Sequence, residues 1–223
     1  MTMSIAARCP LSGMVGVAVA SSSIAVASRC ANVRAGVGAA LSQNVTDPSL
    51  GWMALDLMQS GRSAQDIFDL FLAERPFMAW RQLVLVPSIG APAVFSGART
   101  LGVTGESTSQ HCAAAGNLLA NSSVPGAMTR AFEGSQGHLA ARLLAALRAG
   151  LKAGGEASPL HAAGVQVADK LTWPVVDLRV DWSDDPIGQL GSLWDLYEPQ
   201  LDAYVQRAQS PDAAPAYGVA GDP

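Results

Sequence analysis

Two short apolar runs open the chain, Met3 to Cys9 and Met14 to Ser21, separated by the turn-forming quartet Pro10-Leu11-Ser12-Gly13. Runs of that length with that connection predict an antiparallel hairpin. Neither run alternates cleanly between apolar and polar residues, and Val15 to Ala20 carries no polar side chain at all. A sheet covered by other layers on both faces would account for that lack of alternation. The chain has the material for such an interior: 223 residues, 49% hydrophobic and 14% charged. One domain over residues 1–223 is expected, with residues 210–223 forming a Pro/Ala/Gly-rich tail.

If the quartet is the loop, Cys9 pairs with Met14 and the register carries back until Thr2 lies opposite Ser21. The two-residue period of a strand then sets Thr2, Ser4, Val17, Val19 and Ser21 on one face, and Met3, Ile5, Ala18 and Ala20 on the other. Ser4 and Ser21 thereby become candidate substrate contacts beside Thr2. The competing reading is that Ser21, Ser22 and Ser23 simply end the strand in a polar turn.

A third strand is expected from Ala35 to Ser42, built of small residues around Val37 and Leu41, with Arg34 before it and Gln43-Asn44 after it. Small residues let another layer or a substrate approach closely, and Gln43 joins the candidate contacts. The period then changes. Asp47-Pro48 caps a helix with Leu50, Met53, Ala54, Leu57 and Met58 at helical spacing, ended by Gly61. Ser63 with Asp66 forms a capping-box variant for a second helix that buries Ile67, Leu70 and Phe71. Strands are expected at Gln82 to Val86, Ala93 to Ser96 and Thr100 to Thr104, whereas Ser107 to Gly116 fits either period. Helices follow at Val124 to Glu133 and Leu139 to Ala149, then strands at His161 to Ala168 and Val175 to Asp181, and a last helix from Pro186 to about Arg207. This order implies antiparallel sheets covered by helices: an α+β, four-layer αββα sandwich.

A formal net charge of −4 with no basic run argues against nucleic acid as a partner, and no stretch reaches the length of a spanning helix, so a soluble, cytoplasmic protein is expected. Cys9, Cys30 and Cys112 lack zinc or redox spacing, and His111, His138 and His161 lack the i, i+4 spacing of a metal site. Neither a metal nor a cofactor is expected.

Thr2 follows Met1 directly. Removal of Met1 would place a hydroxyl and a free α-amine on one residue, and a threonine activated by its own amine is a known nucleophile. The amine's ordinary pKa, roughly 7.7–8.0, suits it to accept a proton near neutrality. The bland reading is a β-branched residue in a strand. Arg34 is either a surface arginine at a strand end or a fixed cation that tunes the amine or binds an anionic group. Asn117, after Gly116, is either a turn residue or an oxyanion donor. Asp177 and Arg179 share one face of their strand, as a solvated ion pair or as a recognition pair at a cleft or subunit contact.

Several segments, in order, carry a family resemblance: Ser4-Ile5-Ala6-Ala7-Arg8, Gly16 to Ser21, Arg34-Ala35-Gly36-Val37-Gly38-Ala39, Arg81-Gln82, Gly116-Asn117-Leu118-Leu119, Ala153-Gly154-Gly155 and Val176-Asp177-Leu178-Arg179-Val180. Together they resemble the bacterial domain of unknown function 1028, which is placed among Ntn-hydrolase-like proteins. The resemblance implies an αββα fold and an amide-bond hydrolase, with Thr2 at the family's Thr before its Ser-Ile segment. Arg34 falls, more loosely, where related enzymes carry a basic residue at the start of a strand. Two departures stand out: Ala115 replaces the Gln before the family's Gly-Asn pair, and Gly155-Glu156-Ala157-Ser158 replaces a Gly-Gly-Asp segment followed by Arg and Gln. Loss of polar lining on that side is the expected consequence.

The leading expectation is a small-molecule amidohydrolase with Thr2, Arg34 and Asn117 as catalytic residues, and Ser4, Ser21, Gln43, Asp177 and Arg179 contacting a small-molecule substrate. The alternative is a non-catalytic ligand-binding or assembly protein that keeps the fold, including as a homodimer. A third reading makes Ser4 the nucleophile after further processing.

Overall fold

The computed structural model describes residues 2–221. In chain order its elements are β1 (Thr2–Arg8), β2 (Val15–Ser21), α1 (Ala27–Cys30), β3 (Ala31–Arg34), β4 (Gly38–Asn44), α2 (Pro48–Gln59), α3 (Ala64–Glu74), β5 (Arg81–Pro87), β6 (Ala93–Ser96), β7 (Gly105–Thr108), β8 (Cys112–Asn117), α4 (Val124–Glu133), α5 (Leu139–Lys152), β9 (Ala162–Ala168), β10 (Val176–Val180), α6 (Pro186–Tyr197) and α7 (Leu201–Gln209). They form a six-stranded sheet ordered β10-β9-β2-β1-β8-β7 and a four-stranded sheet ordered β3-β4-β5-β6, both antiparallel.

The opening hairpin sits at the centre, as its two apolar faces require. Its register runs from Met3 opposite Ala20 to Arg8 opposite Val15, and the Cys9 amide closes the turn on the Met14 carbonyl at 2.8 Å. One face, with Met3, Ile5, Ala18 and Ala20, packs against α4 and α5 through Met128, Phe132, Leu143 and Leu147, while α6 covers β9 and β10. The other, with Ala6, Val15, Val17 and Val19, packs against Leu41, Val84 and Val86 of the four-stranded sheet. That sheet buries Ala40, Leu83 and Leu85 on its far side under Leu50, Leu55, Ile67, Phe68 and Phe71 of α2 and α3. The layers are therefore helix, sheet, sheet, helix. The caps expected at Asp47 and at Ser63 with Asp66 are both formed.

Four boundaries differ from the sequence reading. The strand expected from Ala35 is a hairpin instead: β3 ends at Arg34, Gly36 takes a left-handed φ of 70°, and the Val37 amide bonds the Arg34 carbonyl at 3.1 Å. Residues 100–104 form no strand, because the carbonyls of Leu101 and Val103 are taken by the amides of Leu118 and Leu119 beyond the end of β8. Gly150 does not end α5. A Cβ there would lie 2.8 Å from Met128 Cγ and 3.1 Å from Met3 Sδ, so glycine serves close packing of the helix on β1 and α4. The last helix breaks at the turn holding Pro199, which separates α6 from α7. The tail, irregular by composition, has a short 3-10 turn at Pro211–Ala213, and Arg207 holds it by bonding the Pro215 and Ala216 carbonyls and lying 3.8 Å from the centre of the Tyr217 ring. Residues 222 and 223 lie outside the described residues.

Phe132 of α4 is fully buried, with the Arg142 guanidinium 4.1 Å from its ring centre. Phe132→Ala should lower unfolding free energy by about 3–5 kcal/mol, read from the urea midpoint at unchanged slope.

Candidate site at the amino end of the central strand

Thr2 begins β1, the strand flanked by β2 and β8 in the larger sheet, and lies directly opposite Asn117. The hairpin register brings Ser21 to its other side. Thr2 is 4% exposed, and Ser21 and Asn117 are fully buried. By strand alternation Thr2 shares the inter-sheet face with Ser4. Polar groups in so dry a layer must bond one another.

They do, and one backbone group fixes the whole arrangement. The Gly116 carbonyl can only accept, and it takes Gln82 Nε2 at 3.1 Å. Gln82 Nε2 also donates to Ser96 Oγ at 2.8 Å, so Gln82 Oε1 faces the opposite way. There it accepts Gln43 Nε2 at 2.8 Å and Asn117 Nδ2 at 3.0 Å. Gln43 Oε1 is thereby turned to Ser4, whose hydroxyl donates to it at 2.6 Å. The same logic leaves Asn117 Oδ1 buried with no hydrogen-bond partner among the described residues.

A carboxylate completes the site. The segment after α5 turns at Gly154 and Gly155, both with positive φ, and lies along the loop that follows β8: the Ala120 amide bonds the Gly155 carbonyl, the Ala157 amide bonds the Leu118 carbonyl, and Glu156 bridges Leu119. The Glu156 carboxylate reaches the Ser22 amide, at 3.2 and 3.3 Å from its two oxygens. Its backbone thus sits at the β8 side and its charge at the β2 side, so the residue spans the amino end of β1 between them. Glu156 is 6% exposed. Burial pushes its carboxyl up to about 7, opposed by the positive charge at the chain's amino terminus and by the Ser22 amide.

The expectation that the Gly155-Glu156-Ala157-Ser158 segment loses its polar lining is corrected: it supplies a buried acid. Ala115 lies in the apolar layer between the sheets. Gln43 and Ser4 join the network, but three of the candidate residues stand apart from it. Arg34 ends β3 and is spent on α2, bonding Asp56 Oδ1 at 2.8 Å and Gln59 Oε1 at 2.7 Å. Asp177 and Arg179 lie on β10, at the edge of the larger sheet. Asp177 accepts from Gln166 Nε2 at 3.0 Å, and Arg179 pairs with Asp181 at 3.6 Å rather than with Asp177. Glu156, Gln82 and Ser96 are not among the residues that the sequence pattern singles out for chemistry. Gln82 carries a visible signal, a polar residue in phase with the inward-facing Val84 and Val86.

One residue earlier on β5, Arg81 with Val45, Phe77 and Trp80 lines an apolar cavity of about 360 Å³. Among the described residues no cluster of three or more His, Cys, Asp or Glu could hold a metal, and no helix is long and apolar enough to cross a membrane.

Fold and site together define a two-sheet α+β sandwich whose buried polar groups converge on the start of its central strand. The chain belongs to the family of unknown function DUF1028, which matches over residues 2–190. It is similar to protein SPO2555 from Silicibacter pomeroyi, a DUF1028 protein of known crystal structure, with 32% identity, 88% of each chain covered and a TM-score of 0.81. No curated protein matches.

The network and the acid each make a measurable difference to stability. Gln82→Leu orphans the donors of Gln43 and Asn117 at about 1–3 kcal/mol each, so it should cost at least about 2 kcal/mol by urea denaturation although leucine is a fair volume match. For Glu156, folding raises the pKa from the ordinary 4.5 to about 7, so the folded chain keeps a proton that the unfolded chain releases. Its contribution is complete below about pH 4.5 and is lost as pH rises to about 7. The stability of wild type minus that of Glu156→Gln should therefore fall across that window, measured by urea denaturation at stepped pH.

Proposed function

We propose that this chain is an N-terminal-nucleophile hydrolase of small amides, with Thr2 as nucleophile once Met1 is removed. Met1 itself lies outside the described residues. The reading is supported above all by the burial of Thr2 among hydrogen-bonding groups at the end of a central strand, where an ordinary strand threonine would need no such surroundings. In the first step Thr2 Oγ attacks the substrate carbonyl carbon and its proton passes to the α-amine of the same residue. Asn117 Nδ2, which spends one of its two hydrogens on Gln82, has the other to offer the oxyanion, together with backbone amides. The α-ammonium then returns its proton to the leaving nitrogen as the C–N bond breaks, leaving an acyl ester on Thr2. Water, deprotonated by the same amine, cleaves the ester to acid and restores the hydroxyl. Ser4, with its proton committed to Gln43, supports the site rather than attacking. The unpaired state of Cys9, Cys30 and Cys112 fits a reducing, cytoplasmic setting.

Incubation with p-nitrophenyl acetate should give one hydroxylamine-labile acetyl adduct, mapped by peptide mass spectrometry to Thr2 of protein lacking Met1. Thr2→Ala should lose it and drop amide turnover by about 10³-fold or more. An ester adduct that persists in Thr2→Ala removes the mechanism, and natively expressed protein that keeps Met1 is a ligand-binding protein instead, since a nitrogen in a peptide bond cannot act as base.

A further inference from the structure

Two buried acceptors stand at the amino end of β1, and both call for the same kind of donor. Asn117 Oδ1 is fully buried and unpartnered among the described residues, and it cannot flip, because its Nδ2 is held by Gln82 Oε1. Asn117 is the direct cross-strand neighbour of Thr2. Glu156 crosses the same strand end from Leu119 to Ser22, where its carboxylate accepts the Ser22 amide and keeps further lone pairs to offer. A carboxylate and an amide oxygen both accept and do not donate. The complementary group is one that donates several hydrogens and carries positive charge, and an α-ammonium does both.

We propose that Glu156 and the carbonyl oxygen of Asn117 form the receptor for the α-amino group of Thr2 after Met1 is removed, with Glu156 the positioning residue that holds this amine for proton transfer. The proposal rests on the reading of Thr2 as nucleophile and adds a means of regulation to it. While Thr2 is joined to Met1 its own nitrogen has a single hydrogen and no charge; excision moves the chain's terminal ammonium, with its donors and its charge, from residue 1 to Thr2. The groups that act on the Glu156 carboxylate are the Ser22 amide, which it accepts, and the positive charge of the chain's amino terminus at residue 1, which lowers its carboxyl pKa against the effect of burial. A carboxylate beside the amine favours its protonated form, so the neutral, base-competent form is gained at higher pH than in the absence of Glu156. Arg34, paired with Asp56 on α2, takes no part in this balance.

The test is the rate of Thr2 acetylation by p-nitrophenyl acetate as a function of pH, on mature protein. Glu156→Gln should be about tenfold slower at its plateau, with the half-maximal pH lower by about one unit. Glu156→Asp, which keeps the charge, should be slower with the half-maximal pH unchanged. A Glu156→Gln profile that matches wild type in both rate and pH, while Thr2→Ala forms no ester, overturns the receptor and leaves the nucleophile standing. Ester formation in Thr2→Ala overturns the nucleophile itself. Should Glu156→Gln fail to fold, carbon-13 titration of Glu156 in wild type decides: its pKa should be lower by about one unit with a free α-amine than after N-terminal acetylation, and equal values overturn the proposal.

Discussion

The constraint on which this molecule depends is that its first hairpin is covered on both faces. Between two sheets there is no water to satisfy a stray polar group, so each inward-facing side chain must be apolar or fully bonded. Along most of β1 and β2 the chain takes the first course, with alanine and valine. At the amino end it takes the second, and there a single acceptor, the Gly116 carbonyl, determines which way Gln82, Gln43, Asn117 and Ser4 all point. The network joins β8 and β1 of one sheet to β4, β5 and β6 of the other, so it also fixes how the sheets meet at this end.

What is legible in the sequence, and what is hidden there, follows from the range of the interactions. The register of the hairpin is legible because a four-residue loop and a two-residue period leave little freedom. Loop and period alone therefore put Thr2 and Ser4 on one face. The convergence of Gln82 and Gln43 on Asn117 is not legible, because it joins different sheets and no local period encodes which residues meet across the gap. Arg34 is misplaced by the sequence pattern for a local reason: Gly36 turns the chain where the run of small residues suggests one continuous strand, and the turn puts the guanidinium over α2. Glu156 is hidden because it lies in a loop, and its importance comes from two separate attachments, to Leu119 and to Ser22, that only the tertiary structure brings together.

The unfavourable groups at this end of the molecule bear on its purpose. A carboxyl raised to about 7 by burial is a group the fold would be more stable without as an anion, and an amide oxygen sealed from any described partner forfeits a hydrogen bond. Apolar replacements of similar size would relieve both penalties, and the neighbouring positions Ala113, Ala115 and Val19 show that this layer accepts apolar residues readily. Departures from local consistency of this kind gather where a site needs them. Here both unfavourable groups are acceptors, both lie beside the same strand end, and that end is where loss of the preceding residue brings the chain's terminal cation to Thr2. A purely structural network would be closed by a side-chain donor encoded in the sequence, whereas the receptor proposed for Glu156 and Asn117 is completed by a terminal ammonium that sits on Thr2 only when the residue before it has gone.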